Sequence, residues 1–416
     1  MRPPRLRTTV AAGVLAAAVV PVWAGPASAD HPAPCLAGEV PGSEQLADTH
    51  TEDNLAFDRM NVAHAQELGT GRGTRIAVID SGIVGVEGLD LAGSTAIPGV
   101  APNAFLSGHG TIVAGLIAGP HGVAPDAQVY SVKVFDADDA DTTQGERALT
   151  SAGIVAGIEA VIDAQPQLQF DVVNISLAVR QPDPELEAAV ARLVALDVVV
   201  VAAAGNVETD GPDAPSDAGF KGTEGNDSDV YPADYPGVLA VSATPPGDEN
   251  PGAYVVPNLD TDVAAPTLGA ISANATGQVC VVGEVATSWA AAEVSGIMAL
   301  LRARFPRETP AQLVARLEAT TEAAGPLGEP DPAVQNPWNG AGVVQAYDAL
   351  TRQLKPGRQG KVETTVQETR ADAQAPPAPE RIDLFSTSRA ILLWSGLVAG
   401  SLLALAFMLR PLVRRS

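Results

Sequence analysis

Four polar residues stand in local frames suited to acyl-transfer chemistry: Asp80, His109, Asn206 and Ser288. Ser288 follows Ala286-Thr287 and opens a long run of small and apolar residues with no proline and no glycine before Gly296. A hydroxyl in that setting lies at the first turn of a buried helix, beside unpaired backbone N–H groups and the positive end of the helix dipole. That is a place suited to stabilising an oxyanion. Taken alone, a Thr-Ser before a helix reads as an ordinary N-cap. Asp80 closes the apolar run at 75–79 and precedes a Ser-Gly turn, so it lies at the C-terminal edge of a strand, where sites of open α/β sheets collect. It could also simply cap the turn. His109 sits between Gly108 and Gly110 in SGHGTIVAGLIAG, whose glycines let the backbone pass close to other groups. His31, His50, His64 and His121 lack such a frame and read as bystanders. Asn206 follows VVVVAAAG, and its amide could donate to a developing oxyanion or serve as an ordinary turn residue.

The elements that must position these side chains alternate along the chain. Short β-branched runs at 75–79, 129–134, 172–175, 198–201 and 238–241 read as buried parallel strands. Helical stretches at 146–164, 185–196, 288–305 and 310–320 separate or follow them. This alternation predicts an α/β fold with a doubly wound, mainly parallel sheet and helices on both faces.

Both ends carry membrane signals. Arg2, Arg5 and Arg7, the apolar run 10–20 and Ala27-Ser28-Ala29 form an export signal over 1–29. Near the other end, residues 390–409 carry no charge over about 20 positions, enough to span a bilayer. Arg410, Arg414 and Arg415 follow, which puts the tail in the cytoplasm and the bulk of the chain outside. The expected organisation is a signal peptide at 1–29, an N-terminal extension at 30–72 and a catalytic domain at 73–354. A Pro- and Gln-rich stalk at 355–388, a transmembrane helix at 389–410 and a cytoplasmic tail at 411–416 complete it.

Composition narrows the partners. A hydrophobic share of 46% suffices for a sizeable core and excludes wholesale disorder. The formal net charge of −24 argues against nucleic acid, whose phosphates would be repelled. In an exported chain the cysteine pair, Cys35 and Cys280, suggests one disulfide; two buried free thiols are the alternative.

In the order Asp80, His109, Asn206, Ser288, these frames resemble the subtilisin-like serine proteases. GVAPDAQVYSVKVFD (122–136), NISLA (174–178), YPADYPGVLAVSA (231–243) and DVAAP (262–266) extend the resemblance over about 73–350. It implies a protein or peptide substrate and a triad. His109 takes the Ser288 proton, Asp80 holds the imidazole tautomer, and the Asn206 amide and Ser288 N–H bind the oxyanion. It also implies that Ser176, Leu177 and Ala178, with Ala202, Ala203 and Ala204, line the substrate cleft. No cofactor is implied. Among these proteases the mycosins of type VII secretion are the nearest in layout, with an export signal, a short extension, a stalk and an anchoring helix. That likeness implies a place in a secretion membrane complex and an extension that wraps on the catalytic domain, which a Cys35–Cys280 bond would suit. The alternative function is a weakly active or inactive subunit that uses the fold structurally.

The sequence departs from the usual pattern at Ala286, Trp289 and Ala292 around the serine, and at Ala178 in the cleft strand. Trp289 is expected to press on the oxyanion region, and the loss of proline at Ala292 to straighten the helix. The acidic stretches 136–141 and 207–230 are expected to rim the cleft; with no EF-hand spacing present they read as solvated loops, and a preference for basic substrates or calcium binding is the alternative.

Overall fold

The computed structural model describes residues 34–38, 53–137, 140–207, 229–322, 336–362 and 386–413. The expected export signal, most of the stalk, the last three residues of the tail and the acidic stretch 208–228 lie outside them. Among the described residues, seven strands form one parallel sheet: β1 (Arg75–Asp80), β2 (Leu91–Ala96), β3 (Gln128–Lys133), β4 (Val172–Ile175), β5 (Val199–Ala203), β6 (Val238–Thr244) and β7 (Val263–Pro266). Their order is β2-β3-β1-β4-β5-β6-β7. After β3 the chain crosses back over β1 to build the other half, and such a reversal opens a crevice at the C-terminal strand ends. A two-stranded antiparallel hairpin, β8 (Ile271–Ala273) and β9 (Val279–Val281), stands apart from the sheet.

Strand alternation sends side chains to two cores. Ile76 and Val78 of β1, with Val199, Val201 and Ala203 of β5, enter one; Ala77, Ile79, Val200 and Ala202 enter the other. The first core is covered by α3 (His109–Ile117) and α6 (Thr287–Arg304). The second is covered by α4 (Ser151–Leu168) and α5 (Pro184–Val194). Every residue of α6 from Thr287 to Arg302 is buried, as expected for a helix apolar on all sides. Gly296 permits its close approach to the end of α3 and the turn after it, because a Cβ there would stand 3.1 Å from Ile117 O and 2.6 Å from Val123 Cβ.

Two elements escape the hydrophobic pattern. β2 is half-exposed and contains Gly93, Ser94 and Thr95, while β7 is four residues long and ends in proline at the sheet edge. The helix expected from residue 146 begins instead at Ser151, since the Thr150 hydroxyl accepts from Gly153 N at 3.1 Å and sets the start. Helix α7 (Pro310–Glu318) carries a capping box between Thr309 and Gln312.

The described part of the expected extension packs onto the sheet and its helices. Helices α1 (Leu55–Met60) and α2 (Val62–Gln66) bury Met60, Val62 and Ala65 in the first core, and Asn61 Nδ2 donates to Gln345 Oε1 beside α8 (Ala346–Thr351) at 2.6 Å. Cys35 and Cys280 form a disulfide, and Cys35 N donates to Val281 O at 2.8 Å. At the other end, residues 355–362 are not yet stalk. Gln312 Nε2 donates to Pro356 O at 2.7 Å, and Pro356 pairs with Val362 in a short bridge.

Residues 386–413 belong to a second unit. Within it α9 (Ser386–Val413) contains an apolar span of 24 residues, Thr387–Arg410, with mean hydropathy 2.1. At 1.5 Å per residue that is about 36 Å, long enough to cross a bilayer.

Candidate active site

The C-terminal ends of β4 and β5 and the N-terminal ends of α3 and α6 enclose a cleft of about 190 Å³. His109, Asn206 and Ser288 line it together with Ser176, Leu177, Ala178, Ala203, Phe135, Leu149, Gly205 and Thr287. Behind His109 lies Asp80, wholly buried at the end of β1. His109 Nδ1 is 2.9 Å from Asp80 Oδ1 and 3.0 Å from Oδ2. A carboxylate can only accept, so the shared proton sits on Nδ1 and leaves Nε2 as the acceptor on the cleft side.

Local backbone chemistry holds this pair. Ser81 N donates to Asp80 Oδ1 at 2.7 Å, and Gly110 N donates to Ser81 Oγ at 3.0 Å, tying the turn after β1 to the first turn of α3. Gly110 has to be glycine here. A Cβ at that position would meet Gly82 O at 2.5 Å and Asp80 Oδ1 at 3.0 Å.

On the opposite wall, α6 begins without a side-chain cap. The capping position is Ala286, in extended backbone that any residue adopts, so its methyl needs no glycine freedom. Ser288 therefore does not cap this helix but sits inside its first turn, which settles the choice between cap and first-turn hydroxyl. Thr287 N donates to Asn206 Oδ1 at 2.7 Å, and Gly205 N donates to Thr287 Oγ1 at 3.2 Å. These two bonds stitch the end of β5 to the start of α6. Ser176 Oγ donates to Ser288 O at 2.8 Å and Asn174 Nδ2 to Ser295 Oγ at 3.0 Å, tying β4 to the same helix.

Of the six residues expected in the substrate cleft, Ser176, Leu177, Ala178 and Ala203 line it. Ala202 and Ala204 are not among the lining residues: strand alternation turns Ala202 into the second core, and Ala204 N bonds to Val241 O. Phe135 and Leu149 line the cleft without having stood out in the sequence; the signal for Phe135 was its place two residues beyond the end of β3. Trp289 is not among the residues that line the cleft. Its indole lies against the His109 ring, with centroids 4.7 Å apart and planes inclined by 33°, while Nε1 donates to Glu284 Oε1 at 3.0 Å.

The first acidic residue of 136–141 is structural rather than solvated. Asp136 is buried and paired with buried Lys133 at 2.7 Å, and its other oxygen accepts from Arg147 N at 2.9 Å. Asp138, Asp139 and 208–228 lie outside the described residues. Among the described residues no cluster of three or more His, Cys, Asp or Glu side chains is arranged for a metal. Elsewhere, burial raises the Asp234 carboxyl to about 6, against the opposing pull of Asn258, and pushes that of Glu293 well above its ordinary value.

Comparison with known proteins places this geometry. The subtilase family profile, peptidase S8, matches residues 71–336. Mycosin-1 of Mycobacterium tuberculosis is 31% identical over 408 residues, covering 83% of this chain and 87% of that protein. The crystal structure of MycP1 from Mycobacterium smegmatis superposes with a TM-score of 0.57 at 27% identity, over 81% of this chain and 95% of that one. A structure described as the serine protease MycP1, an essential component of the type VII (ESX-1) secretion system, gives 0.54 at 27% identity, over 78% and 96%.

Proposed function

The chain belongs to the subtilase family, and from that premise we propose that Asp80, His109 and Ser288 form the catalytic triad of a serine endopeptidase. A serine hydroxyl is a weak nucleophile at neutral pH, so a base must take its proton during attack. His109 Nε2 is that base. Asp80, held on Nδ1 at 2.9 Å, fixes the tautomer and stabilises the imidazolium that forms. The scissile carbonyl becomes an oxyanion, for which the Asn206 amide and the Ser288 N–H are the donors. His109 then returns its proton to the leaving amine, and water repeats the cycle on the acyl-enzyme.

The Asp80–His109 pair in one cleft with a first-turn serine is the observation that carries this reading. Residues 176–178 are the backbone edge for an extended peptide. Val179, next along, is already paired with Tyr231, with N–H···O distances of 2.8 and 2.9 Å, which keeps the segment extended. The apolar span of α9 anchors the enzyme in the membrane with its catalytic unit outside the cytoplasm, as the basic residues after it favour.

The partner follows from relatives. The relative whose structure is described as an essential component of type VII secretion favours a place for this chain in such a membrane complex, and with it a second reading in which the fold acts structurally. Hydrolysis of an unfolded protein substrate by the purified full-length chain separates the two. Cleavage by the wild type and none by Ser288→Ala supports the endopeptidase. Folded wild type with no more activity than Ser288→Ala supports the structural subunit.

A further inference from the structure

The contact between Trp289 and His109 has a polarity that packing alone does not require. The indole is 2% exposed and lies 4.7 Å from the imidazole centroid. An aromatic face attracts a cation within about 6 Å of its centroid, and does so more strongly when both rings are shielded from water. The indole N–H also donates to the carboxylate of Glu284 at 3.0 Å. A negative acceptor on that N–H pushes electron density onto the ring and deepens the attraction of its face for positive charge. His109 is thus held from two sides, at Nδ1 by Asp80 and on its face by Trp289.

We propose that Trp289 is a positioning residue for the general base: its face, polarised by Glu284, fixes the His109 ring and stabilises the imidazolium that forms as Ser288 loses its proton. The proposal rests on the triad reading above and adds a residue to it. Ionisable groups on the elements around the ring are few. Asp80 comes from β1, and Glu284 precedes α6. On α6 itself Glu293 is one turn beyond Trp289, with its carboxyl raised by burial, and Arg302 and Arg304 stand at the far end. The hairpin strand β8, also packed on α3, carries no ionisable side chain.

The effect acts where catalysis needs it. Neutral imidazole gains little from the indole face, whereas the imidazolium present in the transition state gains much. Removing the face should therefore slow proton transfer and also make the imidazolium of the free enzyme easier to deprotonate. A residue that only filled space would do neither in a graded way.

The test is the rate at which a fluorophosphonate probe phosphonylates the full-length protein in detergent, measured against pH. Wild type, Trp289→Phe, Trp289→Leu and Glu284→Gln are compared, with Ser288→Ala as the unlabelled control. Trp289→Leu is expected to lower the limiting rate roughly 3- to 10-fold and to move the acid limb about half a pH unit lower. Trp289→Phe and Glu284→Gln should fall between it and wild type, in the same direction on both readouts. Acid limbs identical to wild type in folded Trp289→Leu and Glu284→Gln would overturn the inference and leave the triad standing. Wild type that fails to label would remove the triad reading and this one with it. If Trp289→Leu does not melt as a folded protein, Trp289→Phe and the exposed Glu284→Gln decide the outcome by themselves.

Discussion

The side-chain oxygen of Asn206 accepts the backbone N–H of Thr287 at 2.7 Å, and this one bond orients the amide. With its oxygen committed to the start of α6, the NH₂ group is turned the other way, and Asn206 lines the cleft. Asn206→Asp keeps the acceptor and replaces the donor by a second oxygen. It is expected to lower kcat about 10²- to 10³-fold with little change in KM, a magnitude known from the equivalent donor loss in a subtilisin. Steady-state kinetics on a peptide substrate measure both constants.

Gly110 supports the site from behind. A methyl there would have to displace the Gly82 carbonyl, 2.5 Å away, and would crowd Asp80. Gly110→Ala is expected to lower the melting temperature and to reduce kcat at least tenfold, because sub-ångström misplacement of a catalytic group is costly. Parallel melting and turnover measurements test the two effects.

Buried Glu293 makes the fold sensitive to alkali. Neither carboxyl oxygen meets a hydrogen-bonding group among the described residues, and burial raises its proton affinity well above that of an ordinary glutamate. The folded chain thus holds a proton that the unfolded chain has released. Stability from this group is complete below the ordinary glutamate range and is lost as pH rises through the raised value. Glu293→Gln should therefore melt higher than wild type at pH 8, with a gap that narrows toward pH 5. Melting curves across that range check it, and a gap independent of pH would be inconsistent with a buried, protonated carboxyl.

The Cys35–Cys280 bond spans 245 positions and pins the extension beside the site, where Ala37 O accepts from Gly108 N, next to His109. Reducing it, or replacing both cysteines by serine, is expected to cost about 2–4 kcal/mol of stability. It should also expose residues 34–38 to limited proteolysis. Melting with and without reductant, followed by N-terminal sequencing of the digest, reads out both.

Much of this arrangement was visible in the residues. β4 begins and ends at the expected residues, and α6 begins one residue before its expected start, because long apolar runs and abrupt changes of composition mark buried elements. Asp80, His109, Asn206 and Ser288 stood out because each adjoins such a boundary. β2 and β7 did not: β2 is a half-exposed edge strand with a weak pattern, and β7 is buried but only four residues long and ends in proline. Side-chain direction was also hidden. That Ala202 turns into the core while Ala203 faces the cleft depends on strand register, and that Trp289 lies on His109 depends on two helices meeting. The pairing of Asp136 with Lys133 was concealed within a run of acids that reads as solvent-exposed.

The account depends on Ser288 being activated by His109. Intact-protein mass spectrometry with peptide mapping after fluorophosphonate treatment tests this most directly. A single adduct on Ser288, absent in His109→Gln under the same conditions, is the predicted result. Folded wild type that carries no adduct, or an adduct on Ser288 that forms equally fast in His109→Gln, would contradict it.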